Sequence, residues 1–293
     1  MNIAIYSAFY STTSITYIKS VIDYLEEKKH VFILVDRLKK HIGSEADKYN
    51  YFKDDEMLSQ KIDFLFSVGG DGTLLRSISI IGDTKIPILG INAGNLGFLT
   101  TIKRDTLKNG LDMFFNGKYS FVERSLLEVK TKIPIETIED NGYALNEVSI
   151  NRKNTTSMLS IDTNLDDQFL TTYWSDGLII ATPTGSTGYS LSSGGPIVTP
   201  SSNCLIVNPI APHNINMRPL IVPDKTYFKI SVNGRGKTHL LSLDSRIFTL
   251  ENGNDIYINK AKFNAITVQL DGTSFFDALR EKLFWGQDSR NIQ

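Results

Sequence analysis

Residues 64–75 read FLFSVGGDGTLL, an apolar run that passes through a glycine-rich turn into a second apolar segment. The run Phe64–Val68 is short and bounded by glycine, which is typical of a buried strand. From Leu74 to Ile81, apolar residues recur at helical spacing. The stretch therefore predicts a strand, a tight turn and a helix, the repeating element of α/β folds.

The rest of the first 118 residues repeats this alternation. Further short apolar runs predict strands, and apolar residues recur at helical spacing after a Ser/Thr cluster that can cap a helix. The predicted strands are Ile3–Tyr6, Val31–Val35 and Ile86–Ile91, and the predicted helical residues are Ile15, Ile18, Val21, Ile22 and Leu25. Strands and helices in this order form a parallel sheet covered on both faces. We therefore predict an α/β domain with a parallel sheet over residues 1–118.

From Phe121 onward, short segments alternate apolar and polar residues. Asn-Gly pairs at 141–142, 233–234 and 252–253 are turn signals between such segments. We predict a β-rich domain over residues 119–270. Helical spacing then returns, so residues 271–293 are predicted to pack back on the first domain or to form part of a subunit contact. The apolar residues with this spacing are Phe275, Phe276, Leu279, Leu283 and Phe284.

Composition and charge exclude several classes of protein. The 31 basic and 32 acidic side chains give a formal net charge of −1, which indicates neither nucleic acid nor an anionic membrane as a partner. No apolar run approaches the roughly 20 residues of a membrane helix, and the first residues lack a signal-peptide pattern. A single cysteine excludes an internal disulfide, and four scattered histidines show no metal-ligand spacing. We expect a cytoplasmic enzyme or binding protein.

The turn Gly69–Thr73 has the residues of a phosphate-binding loop with an acidic group inside it. Glycines let the backbone approach a ligand closely, and free N–H groups at a helix start bind phosphate oxygens. Because phosphates repel a carboxylate, Asp71 is predicted to accept a hydroxyl proton, orient a nucleophile or hold Mg²⁺. Arg76, one turn into the helix, can offset phosphate charge. The alternative is a structural strand–helix turn, and the spacing is neither that of a P-loop nor of a dinucleotide fingerprint.

A second group of polar residues follows the predicted strand after Asp176. Residues 176–190 read DGLIIATPTGSTGYS, so an apolar run leads into a dense set of hydroxyls and glycines. Hydroxyls and exposed amides bind phosphate or ribose without adding charge, and Tyr189 can lay its ring on a base. The alternative is a Ser/Thr-rich loop that caps a helix.

Four motifs in this order resemble the NAD kinase family. They are GGDGT at 69–73, GINAGNLGFL at 90–99, Asn146-Glu147, and the segment at 176–190. The resemblance extends from Phe64 to Pro223 and is weaker at both ends. GGDGT alone is shared with diacylglycerol and sphingosine kinases, whereas the last two motifs are more specific to NAD kinases.

The resemblance implies an α/β domain followed by a β-rich domain, as in the NAD kinase and diacylglycerol kinase fold, with the nucleotide site between them and assembly into homodimers or homotetramers. It implies transfer of the γ-phosphoryl of ATP to the 2′-hydroxyl of the adenosine ribose of NAD, with Asp71 as general base. Mg²⁺ would be held chiefly by the phosphates of ATP. The other residues predicted to bind substrate or nucleotide are Gly72, Arg76, Phe98, Asn146, Glu147, Asp176, Thr187, Gly188, Tyr189, Ser190, Leu191, Ser192 and Ala211.

Three positions depart from the family pattern. Gly188 stands where the family usually has alanine, a change that should be tolerated. Trp174 stands two residues before Asp176, where a basic residue is frequent, so one phosphate or ribose contact is altered or missing. Residues 243–246 read LDSR where many members have Asp-Gly-Gln, so no glutamine contact is transferred and Arg246 stays unassigned.

Three further features have structural interpretations. His213 lies in a segment, NPIAPHN at 208–214, that resembles a family segment at the domain boundary; a structural hydrogen bond is favoured over a proton shuttle. Cys204 begins an apolar run and is predicted to lie in the core. The aromatic tail, which includes Trp285, is predicted to serve packing or a subunit contact.

Two other functions compete with a kinase of NAD. A lipid kinase that shares GGDGT would need membrane access, and the chain has no basic amphipathic helix or anchor. A non-catalytic dinucleotide sensor is the other alternative, and an intact Asp71 argues against it. The sequence leaves open whether the donor is ATP alone or also polyphosphate, and whether the acceptor is NAD or NADH.

Overall fold

The computed structural model of the chain describes residues 1–53, 58, 61–94, 97–153 and 157–284. In chain order up to residue 131, its strands and α-helices are β1 (Asn2–Tyr6), α1 (Thr12–Glu27), β2 (Val31–Val35), α2 (Lys39–Ile42), β3 (Tyr51–Phe52), β4 (Phe64–Gly69), α3 (Asp71–Ile81), β5 (Ile88–Asn92), α4 (Leu107–Phe115) and β6 (Tyr119–Thr131).

The second half consists mainly of strands. Its elements are α5 (Glu136–Asn141), β7 (Tyr143–Ala144), β8 (Glu147–Arg152), β9 (Leu159–Leu165), β10 (Gln168–Ser175), β11 (Gly177–Ala181), α6 (Tyr189–Ser192), β12 (Cys204–Ile210), β13 (Leu220–Pro223), β14 (Phe228–Gly234), β15 (Thr238–Leu243), β16 (Arg246–Glu251), β17 (Ile256–Leu270) and α7 (Phe275–Leu283). In the part of the chain described, no helix is long and apolar enough to cross a membrane.

The chain divides into two compact units, which we call unit 1 and unit 2. Unit 1 comprises residues 1–123 and 266–293, and unit 2 comprises residues 124–265. Strand β17 begins in unit 2 and ends in unit 1.

Unit 1 is built on a parallel sheet with the strand order β5-β4-β1-β2-β3, and the end of β17 pairs with β5. The apolar run Phe64–Val68 is buried along its whole length in β4, between β1 and β5. From β1 the sheet grows towards β2 on one side and towards β4 on the other. The carboxyl ends of β1 and β4 therefore form a topological switch point, where open α/β sheets bind ligands. The glycine-rich turn lies at this point.

The helices of unit 1 follow the predicted spacing. The Ser11 hydroxyl accepts a hydrogen bond from the amide of Ser14 and caps α1, as the Ser/Thr cluster predicts. In α1, Ile18, Val21 and Leu25 are buried. Because their spacing places them on one face, α1 covers the core with an apolar stripe.

Unit 2 contains an antiparallel sheet with the order β13-β12-β11-β8-β15-β16. A second antiparallel group has the order β10-β9-β14-β17. Residues from both groups, including Val148, Ile180, Ile230 and Leu241, belong to one apolar core. The predicted α/β and β-rich organisation is thus confirmed.

Two turn predictions in unit 2 need correction. Asn233-Gly234 lies within β14, where Gly234 pairs with Leu159 of β9, so pairing with the neighbouring strand keeps it extended. Asn141 ends the short helix α5, so this Asn-Gly pair follows a helix and not a strand. Asn252-Gly253 does form a turn, with Gly253 at a positive φ of 86°.

The predicted C-terminal helix is α7. The Ser274 hydroxyl accepts a hydrogen bond from the amide of Asp277 and caps this helix. Lys103 forms an ion pair with Glu281 of α7 at 2.7 Å. Trp285 lies outside the described residues.

Candidate active site

The glycine-rich turn is shaped by a close fit between Gly69 and Thr73. A Cβ atom on Gly69 would lie 2.2 Å from Oγ1 of Thr73, so a larger residue cannot occupy position 69. Helix α3 begins at Asp71, directly after this turn, and its first amides include that of Gly72. The fit brings the end of β4 and the start of α3 together and presents Asp71 and Gly72 at the helix N-terminus.

The carboxylate of Asp71 is bound by the backbone of the GINAGNLGFL segment. The amide of Phe98 donates to Oδ2 at 2.7 Å, and the amide of Leu99 donates to Oδ1 at 3.1 Å. A Cβ atom on Gly97 would lie 1.6 Å from Oδ1, so this glycine is required for the carboxylate to sit where it does. Asp71 is therefore fixed by a segment far from it in sequence.

Asn92 and Thr100 hold the two ends of that segment. The Asn92 amide group donates to Oγ1 of Thr100 at 3.0 Å, and its oxygen accepts from the amide of Gly94. Oγ1 of Thr100 also accepts from the amide of Gly97. Asn95 and Leu96 of the motif lie outside the described residues. These bonds shape the loop that presents the Phe98 and Leu99 amides to Asp71.

Arg76 and Phe98 have partners that the sequence did not indicate. The Arg76 guanidinium lies 5.1 Å from the ring centroid of Phe9, which follows β1, and both side chains are exposed. The Phe98 ring lies 6.2 Å from that of Phe275 in α7, and the Lys282 ammonium lies 5.2 Å from the Phe98 centroid. A cation over an aromatic face is attracted by the ring quadrupole.

In unit 2, the Asn146-Glu147 pair begins strand β8 and is bound by Asp244. The amide of Asn146 donates to Oδ1 of Asp244 at 2.8 Å, and the amides of Leu145 and Glu147 donate to the same carboxylate. The turn before β8 is therefore held by a side chain from the turn between β15 and β16.

Glu147 is a buried carboxyl group without a cationic partner among the described residues. Burial raises the pKa of Glu147 to about 8, the nearby carboxylate of Asp244 adds to the rise, and a hydrogen bond from the Tyr189 amide opposes it. Within the described residues, Oε2 of Glu147 and Oδ1 of Asn146 are buried and have no hydrogen-bond partner. Two neighbouring unpaired oxygens of this kind can bind hydroxyl groups of a ligand, because a hydroxyl group both donates and accepts hydrogen bonds.

Gly188 lies against this pair. A Cβ atom at position 188 would lie 2.8 Å from Oε2 of Glu147 and 3.2 Å from Nδ2 of Asn146. Alanine at this position would therefore contact both side chains and require the Glu147 carboxyl group to shift.

The hydroxyls of residues 182–190 mostly hold the segment itself together. Oγ1 of Thr182 donates to the carbonyl of Leu145 and accepts from the amide of Gly185. Ser186 donates to the carbonyl of Pro183 and accepts from the amide of Val198. A Cβ atom on Gly185 would lie 2.0 Å from the carbonyl oxygen of Asn146. The segment is thus packed directly on the Asn146-Glu147 turn.

The predicted binding residues from 187 to 192 differ in exposure. Tyr189 and Ser192 are exposed, and Thr187, Gly188 and Leu191 are half-buried. Ser190 is fully buried, and its carbonyl accepts a hydrogen bond from the Asn208 side chain. Ser190 therefore supports the segment from inside.

Asp176 forms an ion pair with Arg152 at 2.8 Å. Arg152 ends β8, which pairs with the start of β11 next to Asp176. Trp174 itself is exposed, and its carbonyl accepts from the amide of His213.

Ala211, His213 and Cys204 complete the predicted set. Ala211 is exposed at a positive φ of 44°. His213 is exposed, and its backbone amide donates to Trp174. Cys204 is half-buried, so the prediction of a core position is wrong; it starts β12, where the strand emerges beside Asp224, and burial with this carboxylate raises the pKa of the thiol.

The structure also identifies residues that sequence patterns missed. Gly97, Arg152 and Asp244 each contact a predicted site residue from a distant part of the chain, and Thr100 holds the loop that contains Gly97. The aspartate of the LDSR stretch at 243–246 holds the Asn146-Glu147 turn, a role that its departure from the family pattern does not indicate. In the described ranges, no group of three or more His, Cys, Asp or Glu residues is arranged to hold a metal ion.

Comparison with known proteins identifies the family. Residues 10–119 match the ATP-NAD kinase N-terminal domain, and residues 145–270 match the ATP-NAD kinase C-terminal domain. An NAD kinase from Christiangramia forsetii is 48% identical over 99% of this chain and 100% of its own length. An NAD kinase from Flavobacterium psychrophilum is 43% identical with the same coverage.

Two solved structures share the fold. Yeast NADH kinase complexed with NADH is 24% identical, with a TM-score of 0.85 over 100% of this chain and 90% of that one. An NAD kinase from Archaeoglobus fulgidus in complex with ATP is 23% identical, with a TM-score of 0.75 over 97% of this chain and 99% of that one. The predicted family and fold class are confirmed: the chain belongs to the NAD kinase family.

Proposed function

We propose that this member of the family transfers the γ-phosphoryl of ATP to the 2′-hydroxyl of the adenosine ribose of NAD, giving NADP and ADP. The structural observation that supports this most directly is the Asp71 carboxylate, which two backbone amides hold at the start of α3. A fixed carboxylate next to a phosphate-binding turn suits proton acceptance from a hydroxyl nucleophile.

The reaction is an in-line displacement at phosphorus. The 2′-oxygen forms a bond to the γ-phosphorus, the bond from that phosphorus to the β–γ bridging oxygen breaks, and the hydroxyl proton moves to Asp71. Phosphoryl transfer depends mainly on positioning and electrostatic stabilisation. Phe98 and Leu99 contribute by fixing the carboxylate, and the amides at the start of α3, including that of Gly72, offer donors to phosphate oxygens.

NAD recognition is assigned to unit 2. The unpaired oxygens of Asn146 and Glu147 suit hydroxyl groups of the dinucleotide, because a hydroxyl group can both donate and accept a hydrogen bond. Tyr189 is exposed and able to stack on a base, and Thr187, Gly188, Leu191 and Ser192 offer backbone and hydroxyl groups beside it. Ser190 supports this segment from inside.

ATP is the proposed phosphate donor, and a divalent cation, Mg²⁺ in the first instance, accompanies its phosphates. Such a cation neutralises charge on the transferred group. Asp71 and Asp176 are each engaged with protein partners, and no cluster of three metal-ligating side chains occurs in the described part of the chain. We therefore assign the phosphates of ATP, and no protein side chain, as the ligands of the cation.

The test is Asp71→Asn, assayed by NADP formation from NAD and ATP. Removal of a general base typically costs about 10²–10⁴-fold in rate, so kcat should fall by that factor while NAD binding measured by calorimetry persists. Asp83→Asn is the matched control, because Asp83 is exposed just after the end of the same helix. Turnover near the wild-type value in Asp71→Asn would exclude this residue as the base.

The same assay separates the remaining alternatives. Diacylglycerol in place of NAD tests the lipid kinase, and NADH or polyphosphate in place of NAD or ATP defines the acceptor and donor. Cytoplasmic location and assembly into a homodimer or homotetramer stay predictions; light scattering coupled to size exclusion measures the assembly.

A further inference from the structure

Asp244 has a backbone conformation that few residue types adopt. It lies between β15 and β16 at a positive φ of 50°. Aspartate and asparagine tolerate this left-handed conformation better than other residues with a side chain. The turn therefore presents a short polar side chain.

The Asp244 carboxylate and the Asn146-Glu147 turn bind each other reciprocally. The Leu145 amide donates to Oδ2 at 2.8 Å, and the Asn146 and Glu147 amides donate to Oδ1 at 2.8 and 3.1 Å. In return, the amide of Asp244 donates to the carbonyl of Glu147 at 3.0 Å. Since all three partners of the carboxylate are donors, we assign Asp244 as ionised.

Arg246 supports this charge from the other side. Its guanidinium donates to the carbonyls of Asn141 and Tyr143, and its positive charge acts against the effect of burial, which raises the pKa of Asp244. The position that the sequence left unassigned thus has a role: Arg246 is the counter-charge of Asp244 and ties it to the segment before β8.

We propose that Asp244 is a positioning residue for NAD: it fixes the backbone of Asn146 and Glu147 and so directs their free oxygens, and its negative charge acts on the Glu147 carboxyl group beside it. The inference rests on the proposed function, because it assigns NAD to these oxygens. Asp244 does not itself touch substrate. Its effect on NAD passes through two residues that do.

Few groups act on the ionisation of Glu147. Within the described residues, the charged group that shifts Glu147 is Asp244, and the dipolar group is the Tyr189 amide. Arg246 acts on Asp244. Removing the charge of Asp244 should therefore make Glu147 ionise at lower pH.

The experiment is Asp244→Asn in the full chain, with KM for NAD, KM for ATP and kcat measured between about pH 7 and pH 9. Asparagine keeps the left-handed turn, but its amide group must face one of the three backbone N–H groups. We expect KM for NAD to rise about tenfold, because one charge-assisted contact is lost. The kcat and the KM for ATP should stay within about threefold of wild type. The pH dependence of KM for NAD should move to lower pH, and Glu147→Gln should abolish it.

Asp166→Asn is the matched control. Asp166 also has a positive φ, of 48°, in a turn between two strands of unit 2, and its carboxylate accepts a hydrogen bond from the Tyr227 amide. This variant should keep the wild-type constants and pH profile.

These measurements distinguish failure of the inference from failure of the proposed function. A folded Asp244→Asn protein, judged by circular dichroism, with wild-type KM for NAD and an unshifted pH profile would overturn the inference. If that variant does not fold, Arg246→Gln decides, since loss of the counter-charge favours protonation of Asp244 and should shift the profile in the same direction; an unshifted profile there overturns the inference. Wild-type chain that forms no NADP would instead refute the proposed function.

Discussion

The backbone amide of Phe98 donates to Oδ2 of Asp71 at 2.7 Å, across 27 residues of sequence. The proposed base is therefore held by a loop and not by its own helix. The same residue carries its ring towards Phe275 and Lys282 of α7. The position of the Asp71 carboxylate thus depends on the absence of a side chain at Gly97 and on contacts of Phe98 with α7. Each of the two dependences can be tested.

Gly97→Ala should inactivate the enzyme without removing any side chain that contacts substrate. The new Cβ atom would lie 1.6 Å from Oδ1 of Asp71, so the carboxylate must leave its two amides. We expect kcat to fall about 10²-fold or more, as for loss of the base, with little change in KM for NAD. Steady-state kinetics of NADP formation measure both.

Gly94→Ala controls for the added methyl group. Gly94 lies in the same loop, and the nearest atom to its Cβ would be 4.0 Å away. Its kinetics should resemble wild type. Equal loss in both variants would mean that the loop, and not the place of Asp71, limits turnover.

Lys282→Met should lower kcat modestly. The Lys282 ammonium lies 5.2 Å from the Phe98 centroid, and a partly exposed cation–π contact contributes about 0.5–1 kcal/mol. If that energy helps to keep the Phe98 amide on Asp71, kcat should fall about two- to fivefold. Arg280→Met is the control, because Arg280 pairs with Asp277 on the same helix. An identical kcat in the two variants would argue against support of the base by α7.

The sequence predicted the parts of the site that depend on local pattern. The run Phe64–Val68 with its glycine turn specified β4, the turn and α3, because short apolar runs and helical spacing are local signals. The Asn146-Glu147 pair and residues 176–190 were identified through the family resemblance. The strand, the turn and the helix are where the pattern placed them.

What escaped prediction is non-local. Asp244 binds Asn146 from 98 residues away, and Arg152 meets Asp176 only because β8 and β11 are neighbours. The orientation of the side chains was not predictable either. The hydroxyl-rich segment indicated ligand contacts, yet Ser186 and Ser190 are buried and hold the segment together. Composition says which groups a loop contains, whereas packing decides which way they face.

Glu147→Gln should change how stability depends on pH. Burial raises the pKa of Glu147 from 4.5 to about 8, so the folded state favours the neutral acid. The contribution of the neutral Glu147 side chain to folding stability is complete below the pKa of this group in the unfolded chain. That contribution is lost as the pH rises from about 4.5 to about 8. Above that range glutamine avoids the cost of a buried charge, so the free energy of unfolding of the variant should exceed that of wild type by up to about 5 kcal/mol.

Urea unfolding at a series of pH values measures this difference. Glu251→Gln serves as the control, because Glu251 is exposed on the same unit and should leave the profile unchanged. Parallel profiles of wild type and Glu147→Gln would show that Glu147 ionises as readily in the folded chain as in the unfolded one.

His239 should make the protein sensitive to acid. It is completely buried in β15, its Nδ1 lies 3.0 Å from Oδ1 of Asn252, and Nε2 has no hydrogen-bond partner in the described ranges. Burial lowers its pKa from 6.5, and the hydrogen bond to Asn252 opposes this. As the pH falls, His239 takes up its proton in the unfolded chain before it does so in the folded one. The free energy of unfolding is therefore unaffected by this group above about pH 6.5 and falls below it until the folded-state pKa is passed. The slope is at most about 1.4 kcal/mol per pH unit.

His239→Asn removes the titrating ring but keeps a donor for Asn252. The variant should be less stable than wild type at neutral pH because it leaves space in the core, yet its free energy of unfolding should change less between about pH 6.5 and pH 5. His213→Asn, at an exposed position, should retain the wild-type slope. If His239→Asn retained that slope as well, the acid sensitivity would have to come from other groups, since a buried imidazole that does not titrate cannot produce it.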